Sequence, residues 1–98
     1  MPLSDTQKRQ LRTLSHTLKP VVMIGTNGLT DNVCEEINNA LTFHELIKVR
    51  VSAVDHERRD AMIAEFCART KCELVQRIGH IATIFRRNPQ KQKIMLGR

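Results

Sequence analysis

The chain has 98 residues, the size of a single domain with one modest core. Hydrophobic residues make up 41% and charged residues 27%, a globular composition that argues against disorder. The formal net charge is +6 and the isoelectric point is near 9.8, which favours nucleic acid as the partner. The alternative is a basic protein whose charge serves only its solubility.

The cysteines and the N-terminus indicate a reducing compartment. Cys34, Cys67 and Cys72 are an odd number without framework spacing, so we expect free thiols. The first residues contain no apolar run typical of a secretory signal, and no stretch approaches the roughly 20 apolar residues that span a membrane. There is no CxxC or HxxxH pair. We therefore expect a cytoplasmic monomer without a metal site, a cofactor or a membrane partner.

Basic residues are concentrated at the two ends of the chain. The first 24 residues hold one acid, Asp5, and no acid follows Arg77. If the fold brings both ends together, they form one positive face that attracts phosphate; if it keeps them apart, the charge only aids solubility. The basic residues concerned are Lys8, Arg9, Arg12, Lys19, Arg77, Arg86, Arg87, Lys91, Lys93 and Arg98.

The N-terminal segment predicts an amphipathic helix. Ser4 and Gln7 have the spacing of a capping box, so a helix should begin there. Pro20 should end it, because the residue before a proline avoids the helical region. The apolar stripe of this helix is predicted to consist of Leu11, Leu14 and Leu18.

A buried strand and a second helix should follow. Residues 21–24 are wholly apolar, which predicts a strand covered on both faces. Thr30 is a candidate N-cap, and Asp31 suits the first turn of a helix. Leu29 can pack on Cys34 as a hydrophobic staple. The apolar stripe of this second helix is predicted to be Val33, Ile37 and Leu41.

The second half predicts the rest of an α/β fold. The stretch Ile47–Ala53 alternates strictly, so it should form a strand with one apolar face, and Asp55 should cap a third helix. Residues 74–77 and 81–85 flank Gly79 as a β-hairpin. The order α-β-α-β-α-β-β predicts a four-stranded mixed sheet packed with helices, with parallel neighbours where helices connect strands. We expect residues 1–89 to form the domain and residues 90–98 a loose basic tail.

A glycine-rich loop is the most informative motif. Gly25-Thr26-Asn27-Gly28 stands between the first strand and the helix that begins at Thr30. Two glycines three apart allow a tight turn and the close approach of a ligand. Backbone N–H groups at the helix start then face a phosphate, as in the Gly-X-X-Gly loop of KH domains. The alternative is a structural turn without a ligand.

Three sequence blocks resemble the CRM domain, named for chloroplast RNA splicing and ribosome maturation. They are Lys19–Thr30 (KPVVMIGTNGLT), His44–Val49 (HELIKV) and Gln76–His80 (QRIGH). The order and spacing of the blocks are similar to those of the stand-alone bacterial YhbY-type proteins, and the resemblance extends from about Leu3 to Pro89.

The resemblance implies an RNA-binding function. CRM domains bind RNA, their fold is similar to the C-terminal domain of translation initiation factor three, and bacterial members associate with precursors of the large ribosomal subunit. We therefore expect a large ribosomal subunit assembly factor that binds precursor ribosomal RNA. The family's GxxG loop falls on Gly25, Thr26, Asn27 and Gly28, and the basic candidates beside it are Lys8, Arg12, Lys19, Arg86 and Arg87.

The side chains of the loop and the low aromatic content limit how RNA is recognised. Thr26 and Asn27 are uncharged, so affinity has to come from charges outside the loop. Aromatic residues make up 3%, with no Trp or Tyr, which argues against a stacking platform and favours recognition of RNA backbone and shape. Lys48 and Arg50 are interpreted as a solvated strand face.

The sequence also bears on two other classes of function. The chain lacks a Gly-X-Ser-X-Gly elbow, a P-loop lysine and a carboxylate pair in a strand-end loop, so no catalytic activity is expected. A protein-interaction module that docks on an acidic partner remains the alternative to RNA binding.

Overall fold

The computed structural model describes residues 3–25, 27–52 and 55–97. The predicted order of elements is confirmed. The end of the strand predicted to reach Ala53 lies outside the described residues, as do Thr26 and Arg98. The elements are α1 Asp5–Ser15, β1 Pro20–Ile24, α2 Asp31–His44, β2 Leu46–Val51, α3 His56–Thr70, β3 Glu73–Ile78 and β4 Ile81–Phe85.

Each of the three helices begins at the N-cap residue that the sequence predicted. Ser4 and Gln7 form a complete capping box at α1, in which each side chain accepts from the other residue's backbone N–H. The Thr30 side chain accepts from the Val33 N–H at the start of α2, and Asp55 accepts from the Arg58 N–H at the start of α3. Each cap satisfies a backbone donor that the helix itself leaves unpaired.

The four strands form one mixed sheet in the order β1-β2-β4-β3. β1 pairs parallel to β2, and β4 pairs antiparallel to both β2 and β3. The expectation of parallel neighbours therefore holds for β1 and β2 but is wrong for β2 and β3. β4 inserts between these two strands because its residues are largely buried, which suits a central position better than an edge. Gly79, with φ of +58°, makes the tight turn between β3 and β4.

The main core lies between the sheet and the helices α2 and α3. β2 contributes alternate residues to it, as its pattern predicted. The predicted stripe of α2 packs here, although Val33 is only partly buried. The fully or nearly fully buried side chains of this core include Ile37, Leu41, Ile47, Val49, Val51, Ile63, Phe66 and Ile84.

The opposite face of the sheet, which we call the open face, is covered by α1 over only part of its area. Leu11 of α1 packs there with Leu46, Val75 and Phe85. Phe85 ends β4, so this second core lies near one end of the sheet. We call that end the tail end, and the end at which β1 and β2 finish, beside residues 25–28, the loop end.

Two predictions for the N-terminal segment are wrong. α1 ends at Ser15 and not just before Pro20, since residues 16–19 carry the chain from the helix to the edge strand β1. Leu14 is consequently 45% exposed, and Leu18 lies beyond the helix. β1 is covered on one face only: Val21 is 54% and Met23 69% exposed. β1 packs on α2, while α1 does not reach over its other face.

The C-terminal tail is not loose, contrary to prediction. The buried Glu45 carboxylate accepts from the backbone N–H groups of Asn88 and Lys93, each at 2.6 Å, and of Ile94 at 2.9 Å. Ile94 and Leu96 pack against the second core. The tail up to Gly97 is thus held at the tail end of the sheet, because burial of Glu45 requires partners for its charge.

Glu45 occupies a strained position between α2 and β2. It has φ of +64°, in a region that non-glycine residues rarely adopt. Its N–H donates to Leu41 O and its carbonyl accepts from the Arg86 N–H, so backbone bonds on both sides hold this conformation. No helix within the described ranges is long and apolar enough to cross a membrane.

Candidate nucleic-acid interface

The glycine loop leaves β1 at the loop end and has the backbone of a tight turn. The Gly28 N–H donates to Gly25 O at 3.1 Å, and Gly28 has φ of +74°, so its lack of a side chain has a conformational reason. A Cβ on Gly28 would lie 3.7 Å from Met62 Cε, whereas a Cβ on Gly25 would meet nothing within 4 Å. Gly25 and Asn27 are exposed. Thr26, the fourth predicted loop residue, lies outside the described residues.

The start of α2 follows the loop and brings one acidic side chain near it. Asp31 lies in the first turn of α2, where it would repel a phosphate. Its carboxylate instead pairs with Arg69 of α3, Oδ1 to guanidinium nitrogen at 2.6 Å. This pair partly neutralises the acid nearest to the loop, and it also links the two helices.

The third helix contributes a buried arginine at the loop end. Arg59 is buried, and its Nη1 donates to Gly79 O at 3.1 Å. Its Nη2 lies 3.3 Å from His56 Nδ1. Arg59 thus holds the β3–β4 turn against α3. The neighbouring Asp60 pairs with Arg77, at 2.8 Å.

The open face presents two cations that were interpreted as a solvated strand surface. Residues directly opposite each other in antiparallel strands share a face. Lys48 lies opposite Thr83, and Arg50 lies opposite Ile81. In the parallel pair, Met23 of β1 lies beside Arg50. Lys48 and Arg50 therefore point out of the same face on which α1 packs.

The basic side chains of α1 border this same area. Gln7 and Gln10 on one flank of α1 hydrogen-bond to the tail at Gly97 and Met95, so this flank faces the tail end. Leu11 faces the sheet. At 3.6 residues per turn, Lys8 and Arg12 project from the other flank, toward the uncovered part of the open face.

The cations of the open face are electrostatically uncompensated. The ion pairs of the structure join Arg58 to Asp55, Arg69 to Asp31 and Glu65, and Arg77 to Asp60. In the part of the chain that the structure describes, five basic residues near the open face have no ion pair: Lys8, Arg12, Lys19, Lys48 and Arg50. We call these five residues the basic track.

Lys19 connects this set to the start of the edge strand. It is exposed and directly precedes Pro20, which is aligned with Lys48 in the parallel pair. Lys19 and Lys48 also line the same pocket. The basic track thus continues along β1 and β2 from the tail end toward the glycine loop.

Arg86 is partly buried, and acceptors of the protein itself occupy its guanidinium. It was predicted to contact RNA, but its guanidinium donates four hydrogen bonds that tie the end of β4 to α2 and α3. The acceptors are Asn38 Oδ1 at 2.7 Å, Thr70 O at 2.7 Å, Asn38 O at 3.0 Å and Thr42 Oγ1 at 2.8 Å. Because a guanidinium has five N–H donors, Arg86 retains little capacity to bind phosphate.

Arg87 lies far from the glycine loop. It is exposed, and it follows β4 at the tail end. Five strand residues separate it from the loop end, a distance of about 17 Å at the usual rise per residue. Lys19 and Arg87 thus lie at the same end of the sheet, Lys19 before the edge strand β1 and Arg87 after the inner strand β4. The two ends of the chain do meet, because Gln7 and Gln10 of α1 hydrogen-bond to Met95 and Gly97 of the tail. Lys8 and Arg12, however, leave α1 on its other flank.

Among residues 3–25, 27–52 and 55–97, no three His, Cys, Asp or Glu side chains form a cluster that could hold a metal ion. The three cysteines are free thiols. Cys67 Sγ and Cys72 Sγ lie 3.4 Å apart.

Comparison with known proteins confirms the resemblance found in the three sequence blocks. The family model of the CRS1/YhbY (CRM) domain matches residues 3–86. An RNA-binding protein of Haemophilus influenzae is 48% identical over 96 residues, which are 98% of this chain and 96% of that protein. A probable RNA-binding protein of Pseudomonas aeruginosa is 42% identical over 93 residues, which are 95% and 89% of the two chains.

A solved structure has the same fold. The solution structure of a Staphylococcus aureus protein, described as a candidate for RNA binding, superposes with a TM-score of 0.84 at 33% identity. The match covers 98% of this chain and all of that one. Sequence and fold agree over nearly the whole length, and the chain therefore belongs to the CRS1/YhbY (CRM) domain family.

Proposed function

We propose that this chain is a cytoplasmic RNA-binding protein that acts by binding alone. The observation that carries the proposal is the basic track, a set of cations without ion-pair partners in the described part of the chain. Phosphate contacts by Lys and Arg supply most of the sequence-independent affinity for nucleic acid. The names of the Haemophilus and Pseudomonas relatives support RNA as the nucleic acid.

The proposed path of the RNA backbone follows the strands. Lys48 and Arg50 are two residues apart on one strand, so their Cα atoms are separated by about 7 Å. Beyond Arg50 the same direction leads to the exposed Gly25 and the partly buried Gly28, and at Gly25 the backbone can approach a phosphate without a side chain between them. In this arrangement the loop positions the backbone, and the basic track supplies the charge.

We propose precursor ribosomal RNA of the large subunit as the cellular target, on the strength of the family resemblance. A surface that contacts mainly backbone takes its selectivity from RNA shape. Such a factor binds while folded precursor RNA is exposed and leaves when ribosomal proteins cover it. In gradient fractions, the protein should run with immature large subunits. Even distribution over all ribosomal fractions, or recovery with small subunits alone, would contradict this target.

Copurification with and without nuclease separates RNA binding from docking on an acidic protein. Recovery of ribosomal proteins should disappear after nuclease treatment if the chain binds RNA. A stoichiometric protein partner that survives nuclease would instead favour the interaction module. A variant carrying Lys48→Ala and Arg50→Ala should lose the nuclease-sensitive material, which links the result to the open face.

A further inference from the structure

A pocket of about 260 Å³ lies on the open face, next to the basic track. It is smaller than the roughly 300 Å³ at which pockets begin to hold drug-sized ligands, so it suits a single ring system. The residues of the pocket that matter here are Lys19, Lys48, Gln76, Ile78, Ile81 and Thr83. None of them was predicted from sequence to contact a base.

The floor of the pocket holds two polar side chains. Thr83 is 1% exposed and lines the pocket. Gln76 lies opposite Thr83 on the same face, is partly buried and also lines the pocket. A hydroxyl and an amide can each donate and accept hydrogen bonds, so the floor can pair with the polar edge of a group that enters the pocket.

The walls of the pocket are aliphatic and unusually exposed. Ile78 is 67% exposed, although it lies on a paired strand, and the partly buried Ile81 lies opposite it. Isolated exposed aliphatic side chains are common, but here they surround a pocket and adjoin cations. Lys19 and Lys48 border the same cavity. An apolar slot with a hydrogen-bonding floor and positive rim fits a flat, polar-edged ring that carries phosphates.

We propose that this pocket binds one unpaired nucleobase of RNA, an inference that rests on the RNA-binding function proposed above. The ring contacts Ile78 and Ile81, its polar edge meets the Gln76 amide and the Thr83 hydroxyl, and Lys19 and Lys48 meet the adjacent phosphates. An acidic peptide would satisfy the two lysines but would leave the aliphatic walls and the amide without matching groups. A base inside an A-form duplex cannot enter the pocket, since its polar edge is paired, whereas a bulged base can.

Hairpin RNAs with one bulged nucleotide test the inference. Four hairpins carry A, C, G or U at the bulge, and a fifth carries an abasic site there. Fluorescence anisotropy at fixed salt should show at least one base bound ~10-fold more tightly than the abasic RNA, which is about 1.4 kcal/mol. Equal affinity for all five would overturn the pocket proposal.

Variants of the two polar residues on the pocket floor test whether these residues cause the preference for a base. The double variant Thr83→Val with Gln76→Met keeps the side-chain sizes close but removes the hydrogen-bonding groups. It should bind the abasic hairpin as the wild type does and lose the preference for the base. Gln92→Met, the same change on the exposed tail, is the matched control. A preference that survives in a double variant with an unchanged thermal melt would also overturn the proposal.

A third variant separates failure of the pocket from failure of RNA binding. Lys48→Ala should weaken binding of the bulged hairpins and the abasic hairpin. If Lys48→Ala does so while the wild type does not distinguish the five RNAs, RNA binding stands and the pocket inference is wrong. If the wild type binds none of the hairpins, both are wrong. Tight binding of an oligoglutamate peptide that depends on Gln76 and Thr83 would assign the pocket to a protein partner instead.

Discussion

At the residue scale, the glycine loop permits a test in which strain and charge are separated. Gly28→Asp places a carboxylate where the proposed phosphate approaches, and RNA affinity should fall at least ~10-fold, about 1.4 kcal/mol. Gly28 has φ of +74°, so any side chain costs conformational energy. Gly28→Asn is the control, because Asn and Asp both tolerate this region but only Asp is charged. Titration of a labelled hairpin RNA measures both variants.

Space around Gly28 makes this comparison informative. The added Cβ meets Met62 Cε at 3.7 Å, an ordinary van der Waals distance, so neither variant should be excluded sterically. Thermal melts should show similar losses for both variants. If Gly28→Asp retains wild-type RNA affinity while folded, the loop is only a structural turn.

The paired thiols are a second residue-scale feature, and they differ in reactivity from Cys34. The hydrogen bond between the Cys67 and Cys72 thiols lowers the pKa of Cys72, and burial opposes this effect only in part. The same bond raises the pKa of Cys67, and burial raises the pKa of Cys34. Because the thiolate is the nucleophile, iodoacetamide at pH 8 should alkylate Cys72 first, at least ~3-fold faster than Cys34.

Removal of the Cys67 thiol tests whether it lowers the pKa of Cys72. Cys67→Ala should slow alkylation of Cys72, whereas Cys34→Ala should leave it unchanged, as peptide mass spectrometry can measure over time. Faster alkylation of Cys72 in Cys67→Ala would show that Cys67 shields Cys72 rather than activating it.

At the scale of elements, local signals predicted what each segment forms, and contacts between elements decided what each segment covers. The capping box at Ser4 and the alternation over Ile47–Val51 are properties of a few neighbouring residues, and both predictions are confirmed. The apolar run of residues 21–24 correctly predicted a strand, but the prediction that both faces of this strand are covered is wrong. Nothing within that run specifies that α1 stops short of the edge strand.

The position of the tail is the part of the fold that was least predictable from the sequence. The contacts that hold the tail come from residues far away in sequence: Glu45 accepts from the Lys93 and Ile94 N–H groups, and Gln7 and Gln10 of α1 bond to Gly97 and Met95. The role of Arg86 was hidden in the same way, since its acceptors lie on α2 and at the end of α3. A charged residue appears identical in sequence whether it binds a ligand or satisfies buried backbone groups.

The attachment of the tail should depend on pH through Glu45. Burial raises the pKa of Glu45, but the three backbone N–H donors and nearby Arg87 outweigh burial and hold it below its usual range. A folded-state pKa below the unfolded value of about 4.3 contributes stability above that pH, which is lost as the pH falls through the folded-state pKa. The hydrogen-exchange protection factors of residues 93–97, which are the exchange rates of an unstructured chain divided by those observed at the same pH, should therefore fall at acid pH.

The matching variant is Glu45→Gln, which retains the acceptor shape without the charge. It should lower the free energy of unfolding at pH 7 by about 1–3 kcal/mol and make this free energy fall less steeply in acid. Glu36→Gln, an exposed position on the same helix, is the control. If both variants follow the wild-type acid profile, Glu45 is not the group that holds the tail.

At the scale of the whole molecule, the distribution of charge along the sequence did not predict which charged residues lie on the same face. The basic ends suggested one positive face, and the fold does bring α1 and the tail into contact. Lys8 and Arg12, however, leave α1 on the flank away from the tail, and Arg86 is bound by acceptors of α2 and α3. The middle of the chain has an acidic balance, yet it contributes Lys48 and Arg50 to the open face. Alternation along β2 separates these cations from the buried side chains, a signal present in the sequence but interpreted as solvated surface.

The salt dependence of RNA binding tests which face carries the charge. Five phosphate contacts by the basic track predict a slope of log Kobs against log salt of roughly −3 to −5. Lys48→Ala with Arg50→Ala should reduce the slope by about 1.5 to 2, since each lost contact removes about 0.7 to 0.9. Lys91→Ala with Lys93→Ala changes the net charge equally at the tail and should leave the slope nearly unchanged. Equal reductions by both pairs would mean that RNA responds to net charge alone and that the open face has no special part in binding.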